Sequence, residues 1–200
     1  KEAFGFYLSR SPLDDFKIDL TEFSNAGIKA NDKLYKLYKI GGIVTDKKIL
    51  YDKKNNEWAI ITLECLHGRV ELFTFSNVYN RYKDLLLEDS KIFIIGKPSN
   101  RGENDPNQLK IIVDHIFNLP NIRKTLSKVI NIKIPYSYKD SNILDLIKEN
   151  SSKFPGNFPV ILYLENSDQR YDKIKLSDVR MSSDINSIDR LRKKLDKATV

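Results

Sequence analysis

"WAIITLECLHGRVELFTF", residues 58–75, consists of two runs of mostly alternating apolar residues on either side of a His67-Gly68 break. Alternation with period two sends successive side chains to opposite faces, so each run reads as a strand with one face in a core. The short glycine-containing break makes the pair a β-hairpin. One question follows from it: whether the outward side of this ribbon is ordinary surface or a working face.

The flanking sequence decides which fold the hairpin sits in. "LYKLYKIGGIVTDKKIL" (34–50) is a longer β-branched and aromatic run. Gly41 and Gly42 lie inside it, where a strand bulges or bends sharply. "YDKKNNE" (51–57) is a polar turn leading into the hairpin. "SNVYNRYKDLLLED" (76–89) predicts a short helix, with Ser76 or Asn77 as cap and Val78, Tyr82, Leu85 and Leu86 as its apolar face. "SKIFIIGKP" (90–98) is a buried strand, "SNRGENDPNQ" (99–108) a long polar loop and "LKIIVDHIFNL" (109–119) a further strand. The order is strand, strand, strand, helix, strand, strand, with a long glycine-bent first strand. That is the order of an OB-fold, a five-stranded partly open barrel. An SH3-like barrel is the competitor, but it has no helix at that point.

The ends read differently. "KEAFGFYLSRSPLDDFKIDLTEF" (1–23) is helical, with Ser11 as N-cap, Pro12 at the first helical position and Asp14 and Asp15 in the first turn. Leu13, Phe16, Leu20 and Phe23 recur at helical spacing. After residue 120 come a strand "INIKIPYSY", a helix "SNILDLIKEN" with Ile143, Leu144 and Ile147 on one face, and two strands "VILYLE" and "DKIKLSDVRM". A last helix, "SSDINSIDRLRKKL", is capped by Ser182 or Ser183, with Ile185, Ile188, Leu191 and Leu195 inward. The expected organisation is a helical linker over 1–32, an OB-fold nucleic-acid-binding domain over 33–119 and a small α+β domain over 120–200. The fold class is therefore mainly β plus α+β.

Composition narrows the function. Net charge is +7, but residues 1–118 carry 18 Lys/Arg against 17 Asp/Glu, whereas residues 119–200 carry 16 against 10. The excess favours an acidic partner such as nucleic acid, mainly through local clusters. The single cysteine, Cys65, cannot form an internal disulfide, which fits a reducing, cytoplasmic compartment. No apolar run approaches the ~20 residues of a membrane span, and no signal peptide opens the chain. The start at Lys1 rather than Met points to a piece of a longer protein. The two histidines, His67 and His115, and the lone thiol show no zinc-ligand spacing. There is no Gly-rich phosphate loop and no two-metal carboxylate pattern, so no catalytic residue, metal site or cofactor is expected in this chain.

OB-folds take single strands on the face of strands two and three, flanked by the loops between strands one and two and between strands four and five. Mapped here, the candidate nucleic-acid-binding residues are Lys53 and Lys54 at the first loop and Arg101 in the second. Lys47, Lys48, Arg69, Lys97 and Lys110 lie around them, with Tyr51, Trp58 and Phe73 as possible stacking rings. Other uses stand beside these. Phe73 and Phe75 can pack against the short helix, Trp58 can cap the barrel end, and turn lysines serve solubility.

The segments "KEAFGFYLSRSPLDDF" (1–16) and "GGIVTDKKILYDKKNNEWAIITLECLHGRVELFTFSNVYNRYKDLLLEDSKIFIIGKPS" (41–99) resemble the C-terminal region of the bacterial replicative DNA polymerase III alpha subunit family. That family has a "GxYLSGHPL" segment, a "KKGxxMAFVTLEDxxGxIEVVVFPxxYEKY" core and a "VxGKVS" strand. The likeness covers the first 118 residues and is weaker over "FPGNFPVILYL" and "LSDVRMSSDINSIDRLRKKL". It implies a barrel that meets single-stranded template DNA and a last domain that contacts the clamp-loader tau subunit. It also implies a parent DNA-directed DNA polymerase using Mg²⁺, whose catalytic carboxylates and sliding-clamp peptide lie upstream of Lys1. An error-prone paralogue would share the barrel but not usually the tau-contacting domain. The chain departs from the pattern at Arg10-Ser11, where the family has Gly-His, at Asn55, where it has Gly, and at Cys65, where it has Asp. Asn is the non-glycine residue best able to take the positive φ that such a Gly implies. Two other readings compete: an RNA-binding OB module of the tRNA anticodon-binding type, and a scaffold that binds only protein.

Overall fold

Five strands build the first unit: β1 (Tyr38–Tyr51), β2 (Glu57–Cys65), β3 (Gly68–Thr74), β4 (Lys91–Pro98) and β5 (Leu109–Asn118). They form a closed barrel in the order β1-β2-β3-β5-β4, the β3–β5 pair parallel and the others antiparallel. This is the expected OB-fold, seen in a computed structural model that describes residues 11–25, 36–99, 109–138 and 142–195. The expected start of the first helix, residues 1–10, and the loop carrying Arg101 lie outside the described residues.

β1 closes the barrel because it is long enough for two neighbours. It pairs with β4 from Tyr38↔Gly96 to Ile43↔Lys91 and with β2 from Ile43↔Glu64 to Tyr51↔Glu57. Gly41 and Gly42 sit at the handover. A β-carbon on Gly42 would collide with the Glu64 backbone carbonyl and the Leu63 side chain, and one on Gly41 with the Leu20 and Phe93 side chains. The irregularity itself falls later than expected, where the β1–β2 register slips between Val44 and Asp46. The glycines allow close approach, while the slip at Thr45, whose hydroxyl donates to the Thr62 carbonyl at 3.3 Å, supplies the bend.

Alternation fills the interior with Val44, Ile61, Leu63, Val70, Leu72, Ile94, Ile111 and Ile116. Full burial of each such side chain contributes about 1.5–3 kcal/mol. Before the barrel, a 3₁₀ turn (Asp14–Phe16) leads into α1 (Lys17–Phe23). The caps are Leu13 for the 3₁₀ turn and Phe16 for α1 rather than Ser11, and Pro12 lies ahead of both; Ser11 braces the turn before them. Its hydroxyl accepts the Leu13 N–H at 3.3 Å, and its own N–H donates to the Asp14 carboxylate at 2.9 Å. Leu13 and Leu20 are buried, and Phe16 and Phe23 half-buried. Between β3 and β4, α2 (Ser76–Tyr82) turns Val78, Tyr79 and Tyr82 into the barrel, followed by Leu85 and Leu86. Its cap is Phe75, not Ser76 or Asn77. The Phe75 carbonyl accepts the N–H groups of Val78 and Tyr79, both at 2.8 Å, while its ring contacts Trp58.

The chain divides into two compact units, Lys1–Ile122 and Arg123–Val200, with the short helix α3 (Ile122–Leu126) at the junction. The second unit has β6 (Ile130–Ile134), α4 (Ile143–Lys153), β7 (Phe158–Glu165), β8 (Tyr171–Met181) and α5 (Ile185–Lys194). The sheet order is β6-β7-β8, the first pair parallel and the second antiparallel. Two inward residues differ from expectation. Leu144 is exposed, because the α4 stripe runs through Ile143, Leu146, Ile147 and Asn150 at helical spacing and Leu144 lies a third of a turn away. Ile185 is exposed as well, because the buried stripe of α5 runs through Ser187, Ile188, Leu191 and Leu195. The N-cap of α5 is Asp184 rather than Ser182 or Ser183. Ser182 acts one step out, accepting the Asp184 N–H at 3.1 Å and donating to its carboxylate at 2.5 Å.

Charge ties α4 to α5. Glu149 accepts from Lys194 at 2.6 Å and from Arg190 at 2.7 Å, and these bonds, Lys194's first, bring its pKa down to about 2. A carboxyl with a depressed folded-state pKa stabilises above its unfolded value, near 4.3, and loses that contribution as pH falls toward 2. Glu149→Gln is therefore expected to weaken the acid sensitivity of this unit between about pH 4 and 2. Acid titration by far-UV circular dichroism, wild type against variant, checks it, and superimposable curves would show that the pair contributes nothing.

Candidate nucleic-acid interface

The β1–β2 connection is a built turn. The Asp52 carboxylate accepts the backbone N–H groups of Lys54 and Asn56, both at 2.8 Å, and the Asn56 side-chain amide at 2.9 Å. These bonds, the Asn56 side chain's foremost, hold the Asp52 pKa below the ordinary carboxylate value. Backbone bonds from Asp52 N–H to the Asn56 carbonyl and from Asn55 N–H to the Asp52 carbonyl, both 3.0 Å, close the loop. Asn55 takes φ 61°, the left-handed conformation that a glycine or an asparagine accommodates. Lys53 and Lys54 stand exposed at this fixed tip.

The register sorts the remaining candidates by face. Lys48 faces Ile60 and Leu50 faces Trp58, so Lys48 shares the outer face with Trp58. Lys47 and Tyr51, paired with Ile61 and Glu57, point to the other side, and the Tyr51 hydroxyl donates to Glu57 at 3.2 Å. The outer face of the hairpin continues as Ile60↔Phe73, Thr62↔Glu71 and Glu64↔Arg69. Trp58 stacks on Phe73 at 6.5 Å between centroids and tilts against Phe75 at 5.6 Å. Phe73 is only 5% exposed. Its ring points outward as alternation requires, yet the neighbouring aromatics cover it, so it offers no free face to a ligand. Trp58 and Phe75 are half-buried and so less covered than Phe73.

Cation partners divide the set again. Arg69 pairs with Glu64 at 3.4 Å, Lys97 with Asp114 at 3.7 Å and Lys110 with Glu71 at 3.8 Å. The Lys110 side chain is 10% exposed and largely covered. Lys47, Lys48, Lys53 and Lys54 form no ion pair among the described residues. These four make a run of cations along the second half of β1 and its tip; Lys39 on β1 and Lys91 on β4, the latter 5.9 Å from the Phe16 ring centroid, also form no ion pair among the described residues. The sequence reading missed the locking role of Asp52 and Asn56, although an Asp followed by Asn four residues on in a turn is a recognisable Asx signal. It also missed Glu64 and Glu71 as neutralising partners. The described residues contain no group of three or more His, Cys, Asp or Glu side chains placed to hold a metal ion. No helix among them is long and apolar enough to cross a membrane.

Residues 38–119 match the family model described as "OB-fold nucleic acid binding domain". The chain is 27% identical over 203 residues to the DNA polymerase III subunit alpha of Borreliella burgdorferi, covering 96% of this chain and 17% of that protein. It is 22% identical over 175 residues to that of Escherichia coli K12, covering 85% and 15%. Among solved structures, the SSB domain of a Synechococcus sp. protein aligns at TM-score 0.35 and 13% identity, over 41% of this chain and 93% of that one. The chain therefore spans less than a fifth of the length of the curated relatives quoted. With its barrel matching a nucleic-acid-binding domain model and its length aligning with these subunits in several bacteria, the chain is similar to the bacterial DNA polymerase III alpha subunits over a stretch that contains an OB-fold.

Proposed function

We propose that the barrel holds single-stranded DNA along the second half of β1 and the hairpin tip, as part of a DNA-directed DNA polymerase. One observation carries this reading: Lys47, Lys48, Lys53 and Lys54, which form no ion pair among the described residues, lie on one arm whose tip is fixed by Asp52, with Trp58 beside it. A pre-ordered tip presents its charges without first being immobilised, which favours binding. Lysine suits phosphates rather than base edges, so recognition is sequence-tolerant. Trp58 supplies a ring for a base.

The parent polymerase would use Mg²⁺. The described residues do not provide a cluster fit to hold it, so no catalytic step is placed on this chain. The second unit would dock the clamp-loader tau subunit, and the sliding clamp would be met through sequence upstream, in the cytoplasm. On α5, Arg190 and Lys194 are engaged by Glu149 and Arg192 lies 3.8 Å from Asp189, so a partner would meet the exposed Lys193 beside cations that are already paired.

The test is a salt titration by fluorescence anisotropy with a labelled single-stranded oligonucleotide. Lys53→Ala/Lys54→Ala is expected to weaken binding about equally for all sequences. The plot of log affinity against log salt should flatten by roughly 0.7 per lost phosphate contact. Unchanged slope and affinity would make the tip a solvated turn. An RNA strand of the same length, bound much more tightly than DNA, would favour the RNA-binding module instead.

A further inference from the structure

Among the described residues, α4 and α5 pack on one face of the second unit's three-stranded sheet. Ile130, Ile132, Ile134, Val160 and Leu162 point toward those helices and form the core. The intervening residues therefore occupy the opposite face, and the register lines them up in rows. Lys133 stands across from Tyr163, and Tyr163 from Lys173; Asn131 stands across from Ile161, and Ile161 from Lys175. The Lys173 ammonium lies 5.9 Å from the centroid of the Tyr163 ring, which confirms the shared face. A third row pairs Glu165 with Tyr171. Glu165, the one carboxylate in these rows, accepts the Tyr136 backbone N–H at 3.0 Å. Lys133, Lys173, Lys175 and Tyr171 are exposed, and Tyr163 and Ile161 half-buried.

We propose that this open sheet face is a second contact for single-stranded DNA, separate from the barrel's. Charge complementarity names the occupant: three lysines against one carboxylate already engaged. Lys133 and Lys173 are two strands apart, roughly 10 Å, with the Tyr163 ring between them. With the exposed Lys173 side chain swung from the ring to a phosphate, that spacing lets two phosphates be held while a base lies on the ring, and base–aromatic stacking of this kind does not depend on sequence. A duplex keeps its base faces stacked and out of reach of Tyr163 and Tyr171. A single strand exposes phosphates and base faces together, which is the combination these rows match.

The test uses the full chain and a thymidine oligonucleotide of about 40 nucleotides, longer than the roughly 4–16 that one OB-fold takes. Lys133→Ala/Lys173→Ala/Lys175→Ala is expected to flatten the log–log salt plot by roughly 2, at about 0.7 per contact. Photo-crosslinking with 4-thiothymidine should label the peptides holding Tyr163 or Tyr171 in the wild type. It should still do so in Lys53→Ala/Lys54→Ala and should lose that label in the triple variant. Tyr163→Leu keeps the ring position filled with an apolar side chain, so it should lose the crosslink at Tyr163 while keeping the lysine slope. Failure of the barrel reading would show as crosslinks on the sheet face alone. Crosslinks confined to the barrel, with the triple variant's slope equal to the wild type's, would overturn the proposal and leave this face to a protein partner.

Discussion

Gly42→Ala is expected to destabilise the barrel by about 3 kcal/mol, the upper end of what overpacking does. The reason lies in what the new methyl meets. Its nearest neighbours are the Glu64 carbonyl oxygen and carbon, backbone atoms held in the β1–β2 ladder. No rotamer change relieves that contact; the strands must part. Gly41→Ala is the internal control, because its methyl meets the side chains of Leu20 and Phe93, which can shift, and about half the loss is expected. Trp58 is the only tryptophan and sits in the barrel, so its emission in a urea titration follows this unit without interference from the other. Equal midpoints for Gly42→Ala and wild type would show that the strands are not as closely apposed as described.

Trp58→Ala should weaken single-strand binding by about 1–3 kcal/mol, roughly fivefold to 150-fold, with little change in salt slope. The separation from the lysine variants is the informative part. Loss of a ring removes stacking but no counterion release, whereas loss of Lys53 and Lys54 does the reverse. Trp58 also covers Phe73 and leans on Phe75, so the variant should melt earlier too. Binding must therefore be measured where circular dichroism shows the chain still folded. A variant that melts earlier but binds as tightly would make Trp58 a packing residue only.

The barrel was legible in the sequence because its signals are local. Alternation marks β2 and β3, and the polar-to-helical switch at Ser76 separates β3 from β4. Asn55 could be read as a positive-φ position because it stands where the resembling family has glycine, and φ 61° agrees. What escaped depends on which strands become neighbours. Alternation sends Phe73 outward but cannot say that Trp58 and Phe75 will cover it. Lys110 looks like a surface cation until the parallel β3–β5 pairing sets it opposite Glu71. The same holds in the second unit. Lys133, Tyr163 and Lys173 are unremarkable along the chain and become a row only once β6 and β8 flank β7. Helix faces failed for a simpler reason: near a helix start, an apolar residue such as Ile185 satisfies the spacing without having anything above it to pack on.

The most direct measurement of whether the barrel's β1–β2 arm holds a DNA strand is the emission of Trp58 during titration with a single-stranded thymidine oligonucleotide, read beside the anisotropy of the labelled strand. Binding at this arm predicts that Trp58 emission is quenched and saturates at the same protein-to-oligonucleotide ratio as the anisotropy. It further predicts that Lys53→Ala/Lys54→Ala shifts both curves together. An anisotropy rise with Trp58 emission unchanged would mean the strand is held elsewhere, and no anisotropy rise at low salt would mean it is not held at all.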